Sequence, residues 1–179
     1  INTIVMIIWF IGMSVALIFT IASYFKVKRQ MANAVRFEGN VFMSEKVGSP
    51  FALGFIRPRI YIPYGVDRGT YEQIIAHERC HIKRLDHVIK PLAFLILAVH
   101  WFNPLCWLFL KGVLADLELS CDERVLIKIG FDRAKDYASS LLESRQGATV
   151  FASAFGGAKI RTRIENILSF KKLTWLSLT

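Results

Sequence analysis

His77, Glu78 and His81 lie in the run His77-Glu78-Arg79-Cys80-His81, an H-E-x-x-H pattern within a stretch of helical periodicity. At about 100° per residue the two histidines fall about 40° apart on one helix face, with Glu78 about 100° round from His77. Two neutral imidazoles at that spacing can reach one zinc ion, and a carboxylate beside them can take the proton of a metal-activated water. The same short pattern also occurs on surface helices that hold no metal, so further residues must decide. Glu118 and Asp122 sit i,i+4 on a face shared with Leu114, Val125, Leu126 and Ile129. Two carboxylates on an otherwise apolar face are costly to bury unless they bind a metal or pair with a partner. As a third ligand Glu118 completes a His-His-Glu set with one open position, and Asp122 then accepts the outer N–H of a ligand histidine. On a surface helix the same pair would be ordinary charges, as expected of Asp116, Glu123 and Arg124.

These residues need elements to hold them. The histidine helix is expected to start at a Thr70/Gln73 capping box. Ile74 and Leu85 flank its ligand face, Glu72, Arg79, Lys83 and Asp86 fall on a solvated side, and Cys80 lies away from the ligands. Upstream, Gly48-Ser49-Pro50, Gly54 and Arg57-Pro58 separate short runs of Val, Phe, Ile and Tyr, which predicts two or three strands between 41 and 63. Ile60-Tyr61-Ile62 lies between two prolines and is expected at a sheet edge. There it would either hold an extended substrate by strand addition or simply cap the helix.

Residues 1–25 carry no charge, and Lys26, Lys28 and Arg29 follow at once. As a helix this stretch runs about 37 Å, enough for a hydrocarbon core of about 30 Å. The basic flank directs its C-terminal end, and the H-E-x-x-H region, to the cytoplasm. Residues 91–114 carry one charge, Lys111, with Asn103-Pro104 as a turn signal near the middle. If His81 and Glu118 bind one metal the chain must leave and return, so this stretch is expected to form a helical hairpin that dips into the membrane or packs on the first helix. A single spanning helix would separate the two ligands.

Composition agrees. The chain has 179 residues, is 54% hydrophobic and has a net charge of +9. Its mean hydropathy is +0.40 and its pI about 9.7. The basic residues are dispersed or lie beside apolar runs, which favours membrane lipid and argues against nucleic acid as the partner. Cys80, Cys106 and Cys121 form no C-x-x-C pair and no even disulfide set, as in a reducing location. The first residue is Ile1, so a piece of a longer protein is expected.

Towards the C-terminus a helix is expected over 132–144 and a small-residue loop over 147–157. Ile160, Ile164, Ile167 and Leu168 then form a stripe interleaved with Lys159, Arg161 and Arg163, suited to a helix on the inner membrane surface. Residues 173–179 look like the start of another membrane helix. The domain layout is thus a transmembrane helix over 1–25, a cytoplasm-facing peptidase region over 26–145 containing the hairpin 91–114, a basic segment over 146–172, and the start of a membrane helix. The fold class is mainly α and integral to the membrane, with a small β element.

From about 45 to 130 the chain resembles membrane zinc peptidases of the BlaR/MecR antirepressor type and, more distantly, the gluzincin-like HtpX/Ste24 membrane proteases. The matching residues are Ser49-Pro50-Phe51, Gly54, Arg57-Pro58, Ile60-Tyr61-Ile62-Pro63, the H-E-x-x-H run with Arg84-Leu85-Asp86, Trp101-Phe102-Asn103-Pro104-Leu105, and Glu118 with Cys121-Asp122-Glu123 and Val125-Leu126. The resemblance implies zinc on His77, His81 and Glu118, Glu78 as the base, and Asp122 behind a ligand histidine. It implies signalling at the bacterial plasma membrane in an antibiotic or cell-wall stress response, with the chain itself or a cytosolic repressor as peptide substrate. Homodimerisation is a further expected association. Self-cleavage is expected between Ser169 and Phe170. Ser169-Phe170-Lys171-Lys172 also matches S-x-x-K, but no S-x-N or K-T-G run accompanies it, so β-lactam binding is not read from this chain. Tyr137 and His87 are the candidates for stabilising an oxyanion. The alternatives are a non-catalytic transducer that relays conformational change, and an HtpX-like quality-control protease.

Overall fold

The computed structural model describes residues 2–144 and 160–176, with side chains left out from 170 onward. Helix α1 (Asn2–Gln30) buries none of its residues and is long and apolar enough to cross a membrane. A short 3-10 turn, Met31–Asn33, leads into a sheet of β1 (Val35–Glu38), β2 (Val41–Met43), β3 (Phe51–Leu53) and β4 (Arg59–Ile62). The strand order is β1-β2-β4-β3, with β2 and β4 parallel and the other pairs antiparallel.

The Ile60–Ile62 run is therefore interior, not an edge. Pro58 and Pro63 stand just outside the ladder, where a missing N–H costs no strand pairing. Both faces of β4 are covered. Ile60 and Ile62 pack with Val41 on Ile74 and Ile75, while Tyr61 turns to Met31 and Val47. This explains a strand buried along its length after Arg59, with no polar alternation.

Helix α2 (Arg68–Lys83) starts three residues or so before the expected box. Asp67 is its N-cap, its carboxylate accepting the Gly69 N–H at 3.0 Å. Thr70 instead donates to Glu143, at 3.2 Å. After Lys83 the helix stops, and Leu85 takes a left-handed conformation with φ 61° that turns the chain into α3 (Asp86–Val99).

Asn103 caps α4 (Pro104–Ile129), accepting the Leu105 N–H at 2.9 Å, with Pro104 in the first turn, where its missing N–H has no helical partner to lose. Ala93 and Leu97 of α3 pack against Leu110 and Leu114 of α4, so the chain folds back on itself. The two arms run past the expected bounds of 91–114 at both ends. The first begins at Asp86, and the second is 26 residues long and carries Glu118 and Asp122 without a break. The turn between them rests on α1: Trp9 Nε1 donates to the Val99 carbonyl at 2.9 Å, and Trp101 Nε1 to the Trp9 carbonyl at 3.3 Å.

Phe131–Arg133 forms a 3-10 turn ahead of α5 (Ala134–Glu143), within the stretch expected to be helical. Helix α6 (Ile160–Leu176) does not show the expected surface face. Ile167 is buried with Val125, Leu126, Tyr137 and Leu141, and Ile160 and Ile164 pack against the same cluster, so the apolar stripe covers protein. Arg163, expected among the basic residues of a helix on the inner membrane surface, is 6% exposed. The loop expected over 147–157 lies outside the described residues.

Candidate metal centre

Helix α2 presents His77 and His81 one turn apart, and the return along α4 brings Glu118 to them. His77 Nε2 and His81 Nε2 are 3.0 Å apart, and Glu118 lies 3.6 Å from each, Oε2 to His77 and Oε1 to His81. Tetrahedral zinc with bonds of about 2.0–2.1 Å places neighbouring ligand atoms about 3.3 Å apart. With a different Glu118 oxygen near each imidazole, the three side chains converge at about the spacing such an ion needs.

The outer face of each imidazole strengthens that fit. His81 Nδ1 is 2.6 Å from Asp86 Oδ2. His77 Nδ1 is 2.8 Å from the Tyr137 hydroxyl, which donates to Asp122 Oδ1 at 2.7 Å, and Asp122 Oδ1 is itself 3.3 Å from His77 Nδ1. Since the Tyr137 proton goes to Asp122, its oxygen accepts from His77 Nδ1–H. Both rings so carry a proton on Nδ1 and turn Nε2 towards each other and the Glu118 carboxylate.

Charge follows the same logic. Burial acts to lower the basicity of both histidines, yet hydrogen bonds to Asp122 and Glu118 hold His77 above the ordinary histidine range. Those to Asp86, Cys121 and Glu118 do the same for His81. Burial would raise the Glu118 carboxyl, but the two histidines, followed by Lys90, hold it well below the usual carboxylate range. A proton and a metal therefore compete for the same lone pairs.

Of the residues singled out from sequence, the structure brings His77, Glu78, His81, Glu118 and Asp122 together or onto the helix faces around them. Glu78 is 7% exposed, and no hydrogen bond or ion pair engages it among the described residues. Ser169 is exposed on α6, its hydroxyl donating to the Asn166 carbonyl at 3.2 Å; of Phe170 only the helical backbone is described. Tyr137 is fully buried and spent on Asp122, so it is not offered to a substrate. Nδ1 of His87 is buried without a partner among the described residues.

Two residues at the centre were assigned to the wrong surroundings by sequence reasoning. Asp86, placed on the solvated side, is 1% exposed and holds His81. The helical projection fails there because Leu85 breaks the helix before it. Arg163 forks onto Asp122, Nε to Oδ2 and Nη2 to Oδ1, both at 2.7 Å. Its Nη1 is 3.1 Å from Glu118 Oε2, and Nη2 is 3.3 Å from His77 Nε2. The available signal was its spacing of four from Ile167, which puts a charge beside an apolar stripe. Cys80 is partly buried on α2, whereas Cys121, unremarked by its pattern, has its thiol 3.3 Å from His81 Nδ1.

Comparison with known proteins supplies the relationship. The Regulatory protein BlaR1 of Bacillus licheniformis is 28% identical over 200 aligned positions, covering 92% of this chain. The chain spans about a third of that relative's length, 32%. Residues 1–167 match the family described as BlaR1 peptidase M56. With its histidine pair and nearly all of its length inside that match, the chain belongs to the BlaR1 peptidase M56 family.

Proposed function

We propose that this chain is the peptidase part of a membrane sensor-transducer: a zinc endopeptidase, H-E-x-x-H plus glutamate, whose site faces the cytoplasm. The reading rests above all on two Nε2 atoms and one carboxylate converging at 3.0–3.6 Å, with the buried, unengaged Glu78 next to His77 in the chain. His77, His81 and Glu118 would hold the ion. When bound, zinc polarises a scissile carbonyl and acidifies a water. Glu78 takes the proton from the attacking water and returns it to the leaving amine. Asp86 and the Tyr137–Asp122 pair keep both imidazoles turned inward through their Nδ1 protons. An extended peptide would pair with β3, an edge strand that lies against α2.

The membrane side of the proposal is carried by surface chemistry. Ile4, Ile11, Ile18 and Phe25 of α1 and Leu92, Phe102, Leu105 and Phe109 of the α3–α4 pair are exposed apolar side chains. Together they form a surface suited to lipid rather than water. The family relationship favours a role in response to antibiotic or cell-wall stress, with self-cleavage or cleavage of a cytosolic repressor as output and a homodimer as an assembly to be tested.

The test separates base from ligand. Glu78→Ala is expected to keep about one zinc per chain and to lose peptide cleavage, while His77→Ala and Glu118→Ala lose the metal. Zinc content by atomic emission and cleavage of a quenched peptide library read the two properties separately. Cleavage at the wild-type rate by Glu78→Ala would sink the mechanism.

A further inference from the structure

Arg163 reaches the centre from α6, outside the α2–α4 frame that supplies the three candidate ligands. Arg163 is 6% exposed, and its guanidinium forks onto Asp122 with two bonds of 2.7 Å. A third nitrogen contact, Nη1 to Glu118 Oε2 at 3.1 Å, ties the same group to the carboxylate that closes the ligand set. Asp122 in turn fixes His77 through Tyr137. One planar cation thus sets the directions of Glu118, a candidate ligand, and of Asp122, which stands behind His77.

We infer that Arg163 is a positioning residue for the metal centre, delivered by α6, so that the zinc site has its full geometry only with α6 docked. The inference rests on the zinc reading of the site and concerns this chain's own residues around the ion. Two physical effects oppose each other. A cation 3.3 Å from His77 Nε2 repels a divalent ion, whereas the fork holds Asp122 and Glu118 in place. Coulomb repulsion at this range is the same for Arg and Lys, but only Arg presents a planar fork. Arg163→Lys therefore isolates geometry from charge. Residues that orient ligands from behind typically alter metal affinity by about 10–100-fold.

The experiment uses the full chain in detergent micelles and zinc in competition with a chromogenic chelator, with cobalt(II) absorption as a second probe. Arg163→Lys is expected to raise the zinc Kd by about tenfold or more and to shift the cobalt d–d bands, with helix content and thermal midpoint as controls. A wild-type zinc Kd and cobalt spectrum in Arg163→Lys would overturn the inference and leave Arg163 a structural ion pair. Arg163→Gln, a neutral side chain of similar reach, is also expected to bind zinc more weakly. Tighter binding by that variant would mean that Arg163 competes with the metal, which also overturns the inference. Failure of the wild-type chain to bind zinc at all would instead refute the reading on which it rests.

Discussion

At the scale of residues, the centre is organised by what stands behind the ligands as much as by the ligands. Asp86 is the clearest case. Its Oδ2 lies 2.6 Å from His81 Nδ1, and its Oδ1 has no hydrogen bond among the described residues, the nearest cation being Arg84 Nε at 3.7 Å. A buried carboxylate with one oxygen unserved is retained at a cost, and the only bond it makes at full strength is to the histidine. Asp86→Asn keeps the shape but removes the charge, and its amide can turn a donor towards Nδ1–H. We expect zinc affinity to fall by about 10–100-fold, with helix content unchanged. Chelator competition measures it; a Kd within twofold of wild type would show that Asp86 does not orient His81.

The histidine pair and its glutamate could be seen in sequence because one helix and a 3.6-residue period place them, and nothing distant can alter that. Glu118 was legible by a different route, as one of two carboxylates, with Asp122, on an otherwise apolar helix face. Asp86 was not, because a helical projection assumes a continuous helix and Leu85 ends it with φ 61°. No local composition marks that break. Arg163 was misread for a related reason: an apolar stripe with basic neighbours looks the same whether it covers lipid or protein. Which surface it covers is decided by α4 and α5, far away in sequence.

At the scale of elements, the contact between α1 and the α3–α4 turn holds the peptidase frame to the proposed membrane helix. Gly12 makes it possible. A Cβ there would run into the indole ring of Trp101, whose Nε1 bonds to the Trp9 carbonyl. Gly12→Val therefore forces α1 and the turn apart, an overpacking cost of about 1–3 kcal/mol. Gly112, within α4, is the internal control, since a Cβ added there meets nothing within 4 Å. Gly112→Ala is expected to stabilise by about 0.5–1 kcal/mol through helix propensity alone. Thermal unfolding of the two variants in the same detergent should move in opposite directions. A shared direction would refute the close packing of α1 on the turn.

At the scale of the whole molecule, α6 links the metal centre to the bond proposed for self-cleavage. Arg163 and Ser169 are six residues apart on one helix, a rise of about 9 Å. A scissile bond has to enter a zinc site as extended backbone, paired with a strand edge. Within α6 the Ser169 carbonyl has no such freedom, so cleavage before Phe170 requires the last turns of the helix to open. They can open without releasing Arg163, because Ile167 and Arg163 anchor the turns before them. Helix stability near residue 169 should then limit the rate. Asn166→Gly, at an exposed position outside the scissile pair, weakens the helix by about 0.5 kcal/mol and should speed cleavage about twofold. Mass spectrometry of membranes carrying a longer form of the chain is expected to find a fragment beginning at Phe170. That fragment should be more abundant in Asn166→Gly and absent in Glu78→Ala. If it persists at the wild-type level in Glu78→Ala, another protease makes it, and the link between α6 and the metal centre does not extend to self-cleavage.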